Sequence, residues 1–345
     1  MPIYKLPLGA EINLIGDPHL ARAFRTGVPL HRLGDREGMV WQDFQQQLET
    51  SAEVTVIMGD LFDKFVVPPE AVLRASEILL SASREKKLIC ILRGNHDASR
   101  DANKKSSFEL LERLCWHDSK IIFVNDYKFL SVKNGGYLHL FGWQPFVSAA
   151  DAVAEVARGW DLSKLDPQSE IPVAFGHWDI TQHGEDTHNL IPLEQLADLG
   201  IKTVYTGHIH KAERFTRNGI AVEVVGSMQP YAHGEEPPLS MLYLTLTPEQ
   251  VEGMLNDDED VLANTNVRVL LIDGAEYPRE FNCLSKTYKR VHSGEAKVDE
   301  EGNPVAAYDT FDVRTMISTT LTEHKVSDAL QARISTTLME KLSHA

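Results

Sequence analysis

Four short segments carry side chains whose types and spacing suit metal-assisted chemistry: Gly16-Asp17-Pro18-His19, Gly59-Asp60-Leu61-Phe62-Asp63, Gly94-Asn95-His96-Asp97 and Gly207-His208-Ile209-His210. Together with Gly176-His177 they gather carboxylates, imidazoles and one amide oxygen at the ends of short apolar runs. In an extended chain, residues i and i+2 point to the same side. Asp17 and His19 can therefore aim at one ion, and His208 and His210 can do the same. Asp60, Asn95 and His177 emerge after strand-like runs, at the rim where an open α/β sheet offers its ligands. The mixed donor set suits Mn²⁺ or Fe²⁺ better than Ca²⁺ or Mg²⁺, which prefer oxygen shells. Zn²⁺ accepts the same donors, usually with fewer ligands. One carboxylate shared between two ions would hold them close enough to activate a hydroxide and neutralise phosphate oxygens during in-line attack. The chemistry that follows is phosphoester hydrolysis. His96 is not needed as a ligand. Beside Asn95 it would stand over the metals to protonate a leaving oxygen, with Asp97 fixing its orientation and tautomer.

The elements that must position these groups are visible as apolar runs. Residues 12–15, 54–58, 88–92, 172–175 and 203–205 are short and β-rich, and each meets a glycine. Runs without alternation read as strands buried on both faces. Residues 38–50 and 69–86 carry apolar positions at helical spacing. Strand–helix alternation predicts a layered α/β core. Residues 121–124 and 137–142 read as further strands, with a hairpin across Asn134-Gly135-Gly136. Residues 242–246 read as the last core strand, followed by a short helix over 248–255. The acidic stretch 256–260 lacks the spacing of an EF-hand and reads as a solvated linker. Residues 267–272 predict a strand of a smaller unit, and 292–304 a polar loop. The tail carries two amphipathic segments. One has Val313, Met316, Ile317 and Leu321; the other follows a Ser327 cap with Leu330, Ile334, Leu338 and Leu342. These form either a helical hairpin packed on its own domain or a docking element for a partner.

Composition narrows the field. The 345 residues include 43% apolar and 24% charged side chains, ordinary values for a globular protein long enough for more than one unit. Three cysteines argue against a disulfide scaffold and for a reducing cytoplasm. The first sixteen residues alternate in polarity, so neither a signal peptide nor a membrane anchor is expected. The net charge of −16 cuts against a simple nucleic-acid binder, because Lys and Arg dominate phosphate contacts. Bound cations and a partner subunit would have to offset it.

The motif set resembles the calcineurin-like metallophosphoesterase superfamily over about residues 11–235. Within it the chain is similar to the DNA double-strand-break nuclease branch of SbcD-type subunits and phage recombination endonuclease subunits. The Gly59-Asp60-Leu61-Phe62-Asp63 form, the segment with Gly226, Ser227 and Pro230, and the added small unit carry that likeness. The Gln-Pro-Tyr-Ala-His-Gly-Glu wording and the compact length lean toward a phage version, acting in a host cytoplasm. The resemblance implies a layered β-sandwich flanked by helices over residues 1–247. It implies an α+β capping domain at 248–310 and C-terminal helices at 311–345 that dock an ATPase. It assigns Asp17, His19 and His210 to one Mn²⁺, Asn95, His177 and His208 to the other, and Asp60 to both, with Mg²⁺ or Fe²⁺ as alternatives. His96 becomes the catalytic histidine. The implied activity is 3′-to-5′ exonuclease action on duplex ends and endonuclease action on single strands or hairpins. The implied assembly is a homodimer with a coiled-coil ABC ATPase of the SbcC kind.

Arg100, Lys104 and Lys105 follow the Gly94-Asn95-His96-Asp97 loop and are candidates for the DNA backbone. Lys286, Lys289 and Arg290 are candidates from the smaller unit, and His233 is a candidate substrate contact. A phosphomonoesterase or protein phosphatase using the same metals is the alternative reading, and a scaffold without chemistry is a third. The tail from 248 onward speaks against the second, and the filled ligand positions against the third.

Overall fold

The apolar runs fold into parallel strands with a side for each layer. In the computed structural model, β1 (Ile3–Lys5), β2 (Glu11–Ile15), β3 (Val54–Ile57), β4 (Leu88–Leu92) and β5 (Ile121–Val124) form one sheet in that order. The pairs from β2 to β5 are parallel, and β1 is antiparallel to β2. A second sheet has the order β10-β11-β9-β8-β7-β6. Its strands are β6 (Tyr127–Val132), β7 (Gly136–Phe141), β8 (Pro172–Gly176), β9 (Thr203–Thr206), β10 (Glu213–Arg217) and β11 (Ile220–Val224). The central pairs are parallel and both edges are antiparallel. The structure describes residues 3–305 apart from 8, 86–87, 100, 102, 133–135, 162, 164–170, 182–186, 236–239, 274, 292–296 and 299–303.

Alternation along each strand builds two cores at once. Ile12, Leu14, Val56, Cys90 and Leu92 meet Leu138, Leu140, Val173, Phe175 and Tyr205 between the sheets. Ile15, Ile57, Ile89 and Ile91 point the other way, onto α1 (Asp35–Leu48), α2 (Pro69–Arg84) and α3 (Ser107–Cys115). Ala174, Val204 and Val222 cover the far face with α4 (Ala149–Arg158) and α5 (Leu193–Asp198). The result is a helix–sheet–sheet–helix stack, the layered α/β class that the sequence implies. The helices start where local chemistry allows. Pro69 opens α2 with its ring preset for the first turn. Ser106 and Glu109 close a capping box at α3.

Several expectations are corrected. Residues 121–124 and 137–142 are both strand, but they do not pair with each other: β5 lies in the first sheet, and the antiparallel pair that closes at Val132 and Gly136 joins β7 to the unanticipated β6 in the second. β12 (Tyr243–Leu246) does not close the core. It runs parallel to β13 (Asn266–Ile272) in a separate sheet completed by β14 (Ser285–Val291). α6 (Pro248–Asp257) connects β12 and β13, so a boundary at 247–248 falls inside one sheet. By contacts the chain divides into two compact units, Met1–Val269 with Pro278–Tyr288, and Leu270–Tyr277 with Lys289–Ala345. In the second unit the Asp273 amide donates to the Val291 carbonyl at 3.1 Å. Within the expected polar loop, β15 (Lys297–Val298) pairs with β16 (Pro304–Val305). The amphipathic tail segments lie outside the described residues.

Phe175 is fully buried between the sheets and stacks on Tyr205 at 5.1 Å between centroids. Phe175→Ala should cost about 3–5 kcal/mol of unfolding free energy. Denaturant titration checks this; a loss below about 1 kcal/mol would mean the two sheets do not share a tightly packed core.

Candidate metal centre

Both sheets deliver their chemistry to one edge. Asp17, Asp60 and Asn95 follow β2, β3 and β4, while His177 and His208 follow β8 and β9. The turns there are strained. Asp17, His19, Asp60 and His208 all have positive φ, a region that side chains other than glycine rarely occupy. The neighbouring glycines are explained by crowding. A Cβ on Gly94 would run into the Asp60 carboxylate and backbone nitrogen, and one on Gly207 into the Met58 carbonyl and the Asp17 carboxylate.

The side chains form three overlapping groups: Asp17, His19 and His210; His19, Asp60 and His96; and Asp60, His177 and His208. Asp60 belongs to two of them. Its Oδ2 lies 3.4 Å from His177 Nε2 and 3.9 Å from both His19 Nε2 and His96 Nε2. Asn95 Oδ1 is 3.0 Å from His177 Nε2, and His208 Nδ1 is 3.3 Å from it. His19 Nε2 and His210 Nε2 are 3.0 Å apart.

Outer hydrogen bonds decide which nitrogen of each ring faces inward. His177 Nδ1 donates to the Met58 carbonyl at 2.9 Å, which leaves Nε2 for the centre. His208 Nε2 faces Asp179 at 3.0 Å, which leaves Nδ1. His210 Nδ1 faces Glu235 at 3.1 Å, which leaves Nε2. The Glu235 carboxylate also accepts the Tyr231 amide, and the Tyr231 hydroxyl donates to the Pro18 carbonyl under the Asp17 turn. With His177 and His208 neutral, only lone pairs of Asp60, Asn95, His177 and His208 would converge there. That set is stable only around positive charge. Burial opposes a charge on His177, yet the Asp60 and Asp17 carboxylates overcome it and push its pKa up to about 10. Burial likewise opposes ionised Asp60, and the imidazoles of His177, His19 and His96 outweigh it and hold its pKa low. A divalent cation would displace the His177 proton and satisfy the same lone pairs, so the residues present fit a metal pair.

His96 presents a different face. Its Nδ1 donates to the Asp63 carbonyl at 2.6 Å, and its side chain is 43% exposed. Asp97 does not orient it, contrary to the role read from adjacency. The Asp97 carboxylate is buried and accepts the backbone N–H groups of Leu61, Phe62 and Gly94, so it ties the Asp60 turn to the Asn95 turn. Asp63 does the orienting through its carbonyl. Its carboxylate meets Arg22 at 3.4 Å. Arg22 lies over the Tyr231 ring at the rim of the site.

The other candidate contacts separate. His233 packs edge-on against Tyr243 and bonds Thr245, while Glu235, two residues on, reaches the cluster. Lys104 and Lys105 are exposed beside Asp101 and Glu109. Lys286 is committed to Glu280 and the Arg279 carbonyl, its side chain only 10% exposed, so it is not presented to a DNA backbone. Arg100 lies outside the described residues. Asp179, Glu235 and Arg22 were not singled out from sequence. Each sits in a loop with no motif of its own, and only the closeness of the Gly226–Pro230 segment to the histidine pair pointed toward Glu235.

Glu235→Gln and Asp179→Asn should each weaken divalent-metal binding about 10- to 100-fold, because the histidine they orient loses its preferred tautomer. Calorimetric titration with Mn²⁺ measures this directly; affinity equal to wild type would contradict the tautomer assignment.

The family model for calcineurin-like phosphoesterases matches residues 11–212. The DNA double-strand break repair protein Mre11 of Archaeoglobus fulgidus is 26% identical over 194 residues. That match takes in 54% of this chain, which spans only 43% of the length of that relative. Among solved structures, phosphopantetheinyl hydrolase PptH from Mycobacterium tuberculosis is 14% identical with a TM-score of 0.38, over 64% of this chain and 94% of that one. A dimetal phosphatase from Danio rerio is 15% identical with a TM-score of 0.41, over 64% and 88%. The family match encloses every residue of the three metal-competent groups, from Asp17 to His210, and the chain belongs to the calcineurin-like phosphoesterase family.

Proposed function

We propose that the chain is a Mn²⁺-dependent DNA nuclease subunit of an SbcCD-like break-processing complex. It degrades duplex ends 3′ to 5′ and cuts single strands or hairpins. The observation that carries hydrolysis is the position of Asp60 Oδ2, common to the His19 and His177 groups with His96 beside it. Support for DNA as substrate comes from the similarity to a protein named for double-strand break repair.

In this reading Asp17, His19 and His210 would hold one ion, Asn95, His177 and His208 would hold the second, and Asp60 would serve both. The bound pair supplies Lewis acidity, a water made nucleophilic at neutral pH, and positive charge against the phosphate. The chain supplies the rest. Asp60 is kept in place by the His96 amide, which donates to Oδ1 at 2.8 Å. His96, with Nδ1–H fixed on the Asp63 carbonyl, turns Nε2 toward the site and donates a proton from it to the departing 3′ or 5′ oxygen. Arg22 offers a guanidinium to a phosphate oxygen at the rim.

A homodimer fits the outer helices. Leu73 on α2 and Leu110 and Leu114 on α3 are exposed, as are Val66 and Trp116 at the helix ends. Leu110 and Leu114 are one turn apart and share a face. The ATPase partner is assigned to residues 311–345, and a cytoplasmic site follows from the expected reducing compartment. No helix among the described residues is long and apolar enough to cross a membrane.

Wild type with Mn²⁺ should release nucleotides from end-labelled linear duplex DNA. His96→Ala should lower that rate about 10²- to 10⁴-fold while Mn²⁺ binding stays intact. Turnover of a chromogenic phosphomonoester without DNA cleavage would sink the nuclease reading. The double variant Leu110→Asp with Leu114→Asp should sediment as a monomer where wild type sediments as a dimer; a wild-type monomer would remove the dimer.

A further inference from the structure

Against the loop that carries His96 lies a cavity of about 120 Å³, lined by Arg93 and Asp97 from either side of that residue, that the reaction described above does not use. Its floor is the stretch 97–99, which continues directly from His96. Phe65, Pro145 and Phe146 line it with apolar surface, and Arg93, Ser99 and Lys104 bring polar groups. Phe65 belongs to a fixed wall. Its carbonyl accepts the Ser107 amide at 2.9 Å, and the Val67 amide donates to Ser107 Oγ at 3.0 Å. Asp63, two residues before Phe65, carries the carbonyl that orients His96. Phe146, which also lines it, is 62% exposed, so its ring face is open to a ligand.

The charges in the cavity decide what it can hold. Arg93 is anchored through its Nε to the Trp143 carbonyl at 2.8 Å. Lys104 is matched by Asp101 at 3.6 Å. The carboxylates of Glu109 and Asp97 also line the walls, both engaged with backbone N–H groups. This balance disfavours a phosphate, which needs an excess of positive donors. It suits a flat, neutral, hydrogen-bonding ring that can lie against aromatic faces. Nucleobases have that chemistry, and their stacking on aromatic side chains is tolerant of sequence.

We propose that this cavity seats one nucleobase of the substrate strand, next to the phosphodiester under attack, with Phe146 as its stacking face. The proposal rests on the nuclease reading and adds to it a subsite that registers the strand by one base. Removal of that base should then slow cleavage at the adjacent phosphodiester, whatever the base was.

The test uses the full chain with Mn²⁺ and single-stranded oligonucleotides of one sequence, intact or with one abasic position beside the scissile phosphodiester. Wild type should cleave the abasic strand about tenfold or more slowly in kcat/KM. Phe146→Ala should lose a similar factor on the intact strand and no longer distinguish the two. Phe146→Trp should restore the distinction. Mn²⁺ affinity and the thermal midpoint of both variants should match wild type, which separates a lost subsite from a lost fold. Equal cleavage of both strands by wild type would overturn the subsite while leaving the nuclease reading in place, and so would full discrimination by Phe146→Ala. Absence of DNA cleavage by wild type would overturn the nuclease reading and the subsite with it.

Discussion

The constraint on which the rest of the structure depends is electrostatic. Carboxylates from Asp17 and Asp60 are buried together at the edge of two sheets, with imidazole and amide lone pairs aimed at the same small volume. Such a cluster would be costly without compensating positive charge. The fold meets that cost with rigidity. Four residues at the centre hold positive φ, and glycines bring the Asp60, Asn95 and His208 turns into contact. Three backbone amides converging on Asp97 lock the first two turns together. The geometry is therefore imposed by the scaffold, and a bound cation pair would enter a site already formed.

Placement of the site follows from the two-sheet architecture. Parallel strands direct all their carboxyl ends one way, and packing the sheets face to face brings two such edges together. Asp17, Asp60 and Asn95 come from one edge, and His177 and His208 from the other. A second layer then sets proton positions. Met58, Asp179 and Glu235 each fix one histidine, and Asp63 fixes His96 in a separate role. In the proposed assignment, the ligand histidines and the proton donor would thus differ less in residue type than in what holds the far side of the ring.

The central strands were legible in the sequence because strands buried on both faces must be continuously apolar. The edges were not. β10 is mostly exposed and β6 has no fully buried residue, and Lys128, Ser131, Glu213 and Arg217 interrupt any apolar run. α3 carried a readable capping signal in Ser106 and Glu109, yet its nine residues hold too few turns for a clear periodicity. The ligand-type residues were legible because each lies within four residues of the end of an apolar strand. Glu235, Asp179 and Arg22 were not, because tertiary placement alone brings them to the centre. The Asp97 reading failed for an instructive reason. Adjacency to His96 suggested a partner, but the turn points the two side chains apart, and the carbonyl of Asp63 takes the place assigned to it.

The central claim is that Asp60 is shared by two ions. Mn²⁺ titration followed by electron paramagnetic resonance tests it most directly. Wild type should bind two Mn²⁺ per chain and give the spectrum of a spin-coupled pair, while Asp60→Asn should lose that coupling along with affinity at both positions. One Mn²⁺ per wild-type chain, or coupling that survives in Asp60→Asn, would contradict the account.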